Sequence, residues 1–108
     1  MEATLFHEER EDIKIDIVAR FEGDVLVIDG FDIGKTVKDY WGSSDYEYNM
    51  RIHPTGVAIL AGHLGVAPEE KERILSALAS QYNTNSCFSE LEKLVDRLKI
   101  PHESFKWR

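Results

Sequence analysis

Between Ile13 and Phe21 the chain alternates with a period of two. Ile13, Ile15, Ile17, Ala19 and Phe21 form one column, and Lys14, Asp16, Val18 and Arg20 form the other. Successive side chains of a strand point to opposite faces, so this pattern describes a strand with one buried face. Glu22-Gly23-Asp24 interrupts it, and Gly23 can take the positive φ that a tight hairpin turn requires. Val25–Ile28 then continues as an unbroken apolar run, which suits a central strand or one covered on both faces. A hairpin over 13–28 therefore has to be part of any fold this chain adopts.

A second alternation follows further on. Tyr46, Tyr48, Met50 and Ile52 share one face, and Asp45, Glu47, Asn49, Arg51 and His53 share the other. The first face is apolar and aromatic and must cover a core; the second carries charges of both signs. Between the two sheet segments, Asp29-Gly30 reads as a strand end. Ile33, Val37, Tyr40 and Trp41 then fall at helical spacing, with Asp32 as N-cap and Gly42 just past the C-terminus. This predicts a helix of one to two turns, joined to the next strand through Ser43-Ser44. Near the N-terminus, Ala3–His7 reads as a short strand and Glu8–Asp12 as a charged, solvated turn.

Helices dominate the second half. Val57, Leu60, Ala61 and Leu64 trace one face of a helix that Thr55 could cap and Gly65 could close. Pro68 followed by Glu69 and Glu70 marks the start of another, with a stripe through Lys71, Ile74, Leu75, Leu78 and Tyr82. After the polar loop Asn83–Ser86, either Ser86 or Ser89 caps a third helix, and Ser89-x-x-Glu92 fits a capping box. Phe88, Leu91, Leu94, Val95 and Leu98 form its apolar stripe. Ile100-Pro101 stops it, and Glu103–Trp107 reads as a last strand whose partner the pattern does not choose. The expected fold is α+β: an antiparallel sheet of four to five strands with two to three helices on one face.

Length and charge bound what such a domain can do. With 108 residues the chain forms one domain, able to bury a core without metal or disulfide staples. No apolar run approaches the ~20 residues of a membrane helix. The acidic N-terminus lacks the pattern of a secretory signal, and a single cysteine, Cys87, fits a reducing compartment, so a cytoplasmic location is expected. Residues 1–54 hold 13 acidic and 6 basic side chains, whereas residues 55–108 hold 7 of each, so the whole net charge of −7 lies in the first half. Such a surface repels phosphate backbones and is unsuited to nucleic acid. It suits a basic protein partner, or it serves solubility alone.

Few residues point to chemistry. His7, His53, His63 and His102 show no paired ligand spacing, so neither a metal nor another cofactor is expected. Gly30-Phe31-Asp32-Ile33-Gly34-Lys35-Thr36 has three residues between its glycines where a phosphate-binding loop needs four, and it carries an aspartate in the cradle. Cys87 reads as a small buried hydrophobe. Asp45 and Glu47 stand two apart on a strand, yet no cleft-forming segment accompanies them as a carboxylate pair for acid–base work would require. No catalytic residues are assigned. Candidate partner contacts are Asp39, Trp41, Asp45 and Glu47, since tryptophan anchors and flanking charges recur at binding surfaces.

The run Val25–Tyr48, with Gly30-x-Asp32-x-Gly34 followed by Trp41-Gly42-x-Ser44-Asp45-Tyr46-Glu47-Tyr48, resembles a class of small uncharacterised bacterial proteins. The ending Ser86–Trp107 is similar to theirs as well. The resemblance brings no catalytic residue. It implies kinship with small acidic proteins, some of them regarded as immunity proteins of bacterial toxin systems. The leading expectation is a non-enzymatic, immunity-like module that covers a basic protein such as a toxin. The alternative is a small-molecule-binding domain or small enzyme with a pocket beside the Trp41–Tyr48 segment. A third possibility is self-association through a sheet edge.

Overall fold

A computed structural model describes residues 1–34 and 45–107. Five strands, β1 (Glu2–Arg10), β2 (Ile13–Glu22), β3 (Val25–Gly34), β4 (Asp45–Ile52) and β5 (His102–Trp107), form one antiparallel sheet in the order β1-β2-β3-β4-β5. Three helices, α1 (Pro54–Leu64), α2 (Lys71–Gln81) and α3 (Cys87–Arg97), lie in the chain between β4 and β5. The expected α+β class, with an antiparallel sheet and helices on one face, is what the chain adopts.

The hairpin over 13–28 forms as its alternation requires, with Gly23 at φ 60° in the turn. β3 is the central strand of the sheet. Ile17, Ala19, Leu26, Ile28, Tyr48, Met50 and Ile52 share one face and join the core with Val57, Leu60, Ile74, Leu78, Leu91 and Val95 of the helices. β2, β3 and β4 contribute every second residue to that core, which places all three helices on the same side. α2 lies against β1 and β2, and α1 against β3 and β4. Lys71, at the start of α2, ties it to the β2–β3 turn by donating to Gly23 O (2.7 Å) and Asp24 Oδ1 (2.9 Å).

Several boundaries differ from the sequence reading, each for a physical reason. The charged segment Glu8–Arg10 is strand rather than turn; only Glu11 and Asp12 make the turn into β2. An edge strand tolerates such charges because one side of it faces water, and there they discourage pairing with other chains. Asp29-Gly30 does not end β3, which runs on to Gly34, so Asp32 and Ile33 are strand residues and Asp32 is no helix cap. The remainder of the predicted helix, Val37 to Gly42, and the Ser43-Ser44 link lie outside the described residues. α1 starts at Pro54, not after Thr55, with His53 as N-cap, because proline without its N–H is suited to the first helical turn. Gly65 closes it at φ 74° as expected. Pro68 and Glu69 form a turn ahead of α2, closed by Glu70 N–H donating to Ala67 O (3.0 Å), and the helix itself starts at Lys71. Ser86, not Ser89, takes the N-cap position of α3. Glu92 pairs with Lys106 of β5 (3.3 Å) instead of completing a capping box.

β5 pairs antiparallel with β4, from Ile52↔His102 to Glu47↔Trp107. The helical segment thus returns the chain to the edge of the sheet that β4 had left open.

Candidate functional site

Gly30 explains why β3 continues. Its cross-strand partner is Tyr48, and a Cβ on Gly30 would lie 1.8 Å from Tyr48 Cε2. The missing side chain leaves room for the Tyr48 ring to lie flat across β3, as when an aromatic residue covers a glycine in a sheet. The ring then meets Phe88 of α3 edge-on at 4.7 Å and Tyr46 at 5.4 Å. Its hydroxyl reaches Asp32, two residues beyond Gly30, and donates to Oδ1 at 2.8 Å. Burial pushes the Asp32 carboxyl above its usual range, partly offset by the Tyr48 hydrogen bond. Burial raises the Tyr48 phenol as well, assisted by the nearby carboxylate. Gly30, Asp32, Tyr46 and Tyr48 therefore form a packing unit. Gly-x-Asp on β3 and Tyr-x-Tyr on β4 interlock on the core face because both pairs have strand spacing.

On this helix side, a hollow of about 190 Å³ opens beside the unit. Asp32, Tyr46, Tyr48, Phe88, Glu92 and Lys106 are among its lining residues. Sequence reasoning missed Asp32 here because it was assigned to a helix cap. Its two-residue offset from Gly30, matched by Tyr46 and Tyr48, was the available signal.

The opposite face of the sheet carries no described helix. Among the described side chains, seven carboxylates stand on it (Glu2, Glu9, Asp16, Glu22, Asp29, Glu47 and Glu103) against three basic residues, Lys14, Arg20 and Arg51. Val27 is nonetheless fully buried on this face, between Arg20 and Arg51 on the flanking strands. Long arginine stems cover apolar surface while their heads stay polar. Here the heads are engaged: Arg20 donates to Asp29 (2.8 Å) and Glu22, and Arg51 to the second oxygen of Glu22 (2.8 Å). Hydrogen bonds from Arg20 and Arg51 hold the Glu22 carboxyl below its usual range, and those to Glu22 and Asp29 raise Arg20. Two of the three cations are thus neutralised within the face.

Beside this network lies a depression of about 260 Å³, framed by Asp29 and Phe31 on β3 and Glu47 and Asn49 on β4. Glu47 makes no ion pair among the described residues. The Oδ1 atom of Asn49 is buried and has no hydrogen-bond partner among them. An orphaned buried acceptor costs about 1–3 kcal/mol, so it marks a place where a donor is missing. Phe105, the cross-strand partner of Asn49, is 48% exposed.

Of the four candidate contacts, Asp39 and Trp41 lie outside the described residues. Asp45 opens β4 opposite Ile33, and Glu47 sits on the open face opposite Phe31. Tyr46 and Tyr48 belong to the core face, as their spacing with Met50 and Ile52 indicated. Asp29, Phe31, Asn49 and Phe105 were not singled out from the sequence. Asn49 shares the Glu47 face by alternation within β4, and only the register of β3, β4 and β5 brings the other three beside Glu47.

Other chemistry finds little support. No group of three or more His, Cys, Asp or Glu suited to a metal ion occurs among the described residues. His53 pairs with Glu103 (2.7 Å) and His7 with Asp16 (3.4 Å), both at the surface. Cys87 is buried, and burial pushes its thiol up to about 11, far from a reactive thiolate. No described helix is long and apolar enough to cross a membrane. The chain matches no protein-family model, no curated protein and no solved structure.

Proposed function

We propose that this protein is a non-enzymatic binding module that occludes a basic protein in the bacterial cytoplasm, in the manner of an immunity protein covering a toxin. The observation that carries the reading is the open sheet face. It is a broad surface with an excess of carboxylates, two of its three described cations already neutralised, and a partly exposed phenylalanine beside a glutamate that has no ion pair among the described residues. Complementary charge steers a basic partner toward such a face, and an exposed aromatic residue on its β5 edge supplies buried area once docked. Glu47 and Phe105 are the contacts expected to matter most, with Asp45 at the same end of β4; Asp39 and Trp41 extend the candidate surface by sequence alone.

The test is retention of a partner by tagged protein at low and moderate salt, compared between wild type and a Glu47→Lys/Phe105→Glu double variant. A basic protein held by the wild type and released by the variant supports the reading. Retention of nothing, or of the same proteins by both, overturns it.

The hollow beside Tyr46 and Tyr48 favours a second reading, a small-molecule site. Its supporting observation is that Asp32, Glu92 and Lys106 converge on aromatic walls, since a concave site with a few polar groups and a shifted carboxyl is the usual form of such sites. A partner interface that tolerates Glu47→Lys/Phe105→Glu but is lost with Lys106→Glu would move the functional centre there.

A further inference from the structure

The open face contains one place built more specifically than its charge alone requires. Phe31 faces Glu47 across the β3–β4 ladder, and Asp29 faces Asn49 one rung further along. These four side chains stand at the corners of the 260 Å³ depression. Cross-strand neighbours on one face are about 5 Å apart and rungs about 7 Å apart, a frame that fits one flat polar group and little more. Resting on the binding reading above, we propose that this depression seats a single arginine side chain of the basic partner.

Three features select a guanidinium. Glu47 offers a carboxylate without an ion pair among the described residues, and a guanidinium binds a carboxylate through two parallel N–H bonds. The Asn49 Oδ1 atom has no donor among the described residues, and the guanidinium fork carries five N–H groups, enough to serve an amide oxygen and a carboxylate together. Phe31 and the half-exposed Phe105 flank those acceptors, and a planar, weakly hydrated cation stacks on an aromatic ring where an ammonium does so less well. The face already uses this chemistry internally, since Arg20 donates through Nε to Asp29 Oδ2 at the edge of the same depression. Arg20 is thus committed to one corner, and the incoming group takes the Glu47–Asn49 side.

The experiment uses the full chain and three acetylated, amidated tripeptides, Gly-X-Gly, with X arginine, lysine or citrulline. Citrulline keeps the shape of arginine and removes its charge. Binding is read from backbone amide shifts in ¹⁵N spectra at about 150 mM salt, with peptide up to about 20 mM, the range in which one isolated anchor binds. The arginine peptide should give saturable shifts centred on Phe31, Glu47 and Asn49, with lysine at least ~5-fold weaker and citrulline without effect. Glu47→Gln should weaken the arginine peptide by ~10-fold and Asn49→Leu by a smaller factor. The proposal is overturned if citrulline binds as well as arginine, if the shifts map elsewhere, or if none appear. Equal binding of lysine and arginine also overturns it, since only a generic acidic patch would remain.

Failure here is distinguishable from failure of the binding module. A basic partner lost from Glu47→Lys/Phe105→Glu but retained by Glu47→Gln and Asn49→Leu alike leaves the open face as the interface and removes the arginine seat. Site-specific arginine binding without any retained protein partner leaves the seat and removes the occluding role.

Discussion

The two faces of the sheet solve different problems with the same strands. On the helix side, Ile17, Leu26, Ile28, Met50 and Ile52 are almost completely buried, and beside them the part-buried pair Asp32 and Tyr48 is held by a direct hydrogen bond. On the open side Val27 is fully buried, lying between arginines whose charges are matched by Glu22 and Asp29. The helix side is organised by shape, and the open side by charge. The lesson is that one strand can serve both: β4 contributes Tyr48 and Met50 to packing, and Glu47 and Asn49 to a surface whose acceptors are not all matched among the described residues.

Substitutions should separate the faces by magnitude. Leu78→Ala on α2 empties a fully buried core position and should cost about 2–5 kcal/mol in urea unfolding. A loss below ~1 kcal/mol would mean that the helix packs loosely on the sheet. Gly30→Ala drives a methyl into the Tyr48 ring, which Phe88 backs, and should cost about 1–3 kcal/mol. A neutral result would break the claim that Gly30 is a vacancy filled by Tyr48.

Tyr48→Phe keeps the ring and removes the donor to Asp32, for a loss of about 1–2 kcal/mol near neutral pH. Its signature is in the pH dependence. Burial raises Asp32 above its unfolded value of 3.8, so the folded state keeps the proton longer than the unfolded chain. Stability from this group therefore falls as pH rises from 3.8 through the folded pKa. Tyr48→Phe removes the bond that opposes the shift and should steepen that fall, whereas Asp32→Asn should abolish it. Glu22 on the open face works in the opposite sense. Its folded pKa lies below 4.5, so its contribution is present above that value and is lost as pH falls through the folded pKa. Glu22→Gln should flatten the acid limb and make stability less dependent on salt, as expected of an exposed network. Unfolding midpoints measured across the acid range, in the four backgrounds, would show whether the faces titrate in opposite directions.

The smallest expected effect on stability is at Phe105. With its ring 48% exposed, Phe105→Ser should stay within about 0.5 kcal/mol of wild type while weakening any partner docked on the open face. A large loss of stability there would mean that Phe105 supports the fold instead of presenting a contact.

Periodicity alone identified the residues that pack. The columns through Ile17 and Ala19 and through Tyr48, Met50 and Ile52 follow directly from the two-residue period, and the stripes Ile74–Leu78 and Phe88–Val95 from the helical one. Alternation also separated Glu47 from Tyr46 and Tyr48 before any register was known. Local punctuation was less informative. Asp29-Gly30 resembles a strand end because glycine weakens a strand in isolation, and nothing local shows that a tyrosine eighteen residues later fills its place. Glu8–Arg10 resembles a turn because propensity does not record that the strand lies at an edge.

What the sequence determined by itself was the class of fold and the inward face of β2, β4 and the three helices, because burial of apolar side chains at a fixed period is a local property of the chain. What only the tertiary structure decided was adjacency: that β5 returns beside β4, that Asp32 meets Tyr48, and that Asp29, Phe31, Glu47, Asn49 and Phe105 frame one surface. Register sets those neighbours, and register is fixed by packing summed over the whole sheet against the helices, which no single segment encodes.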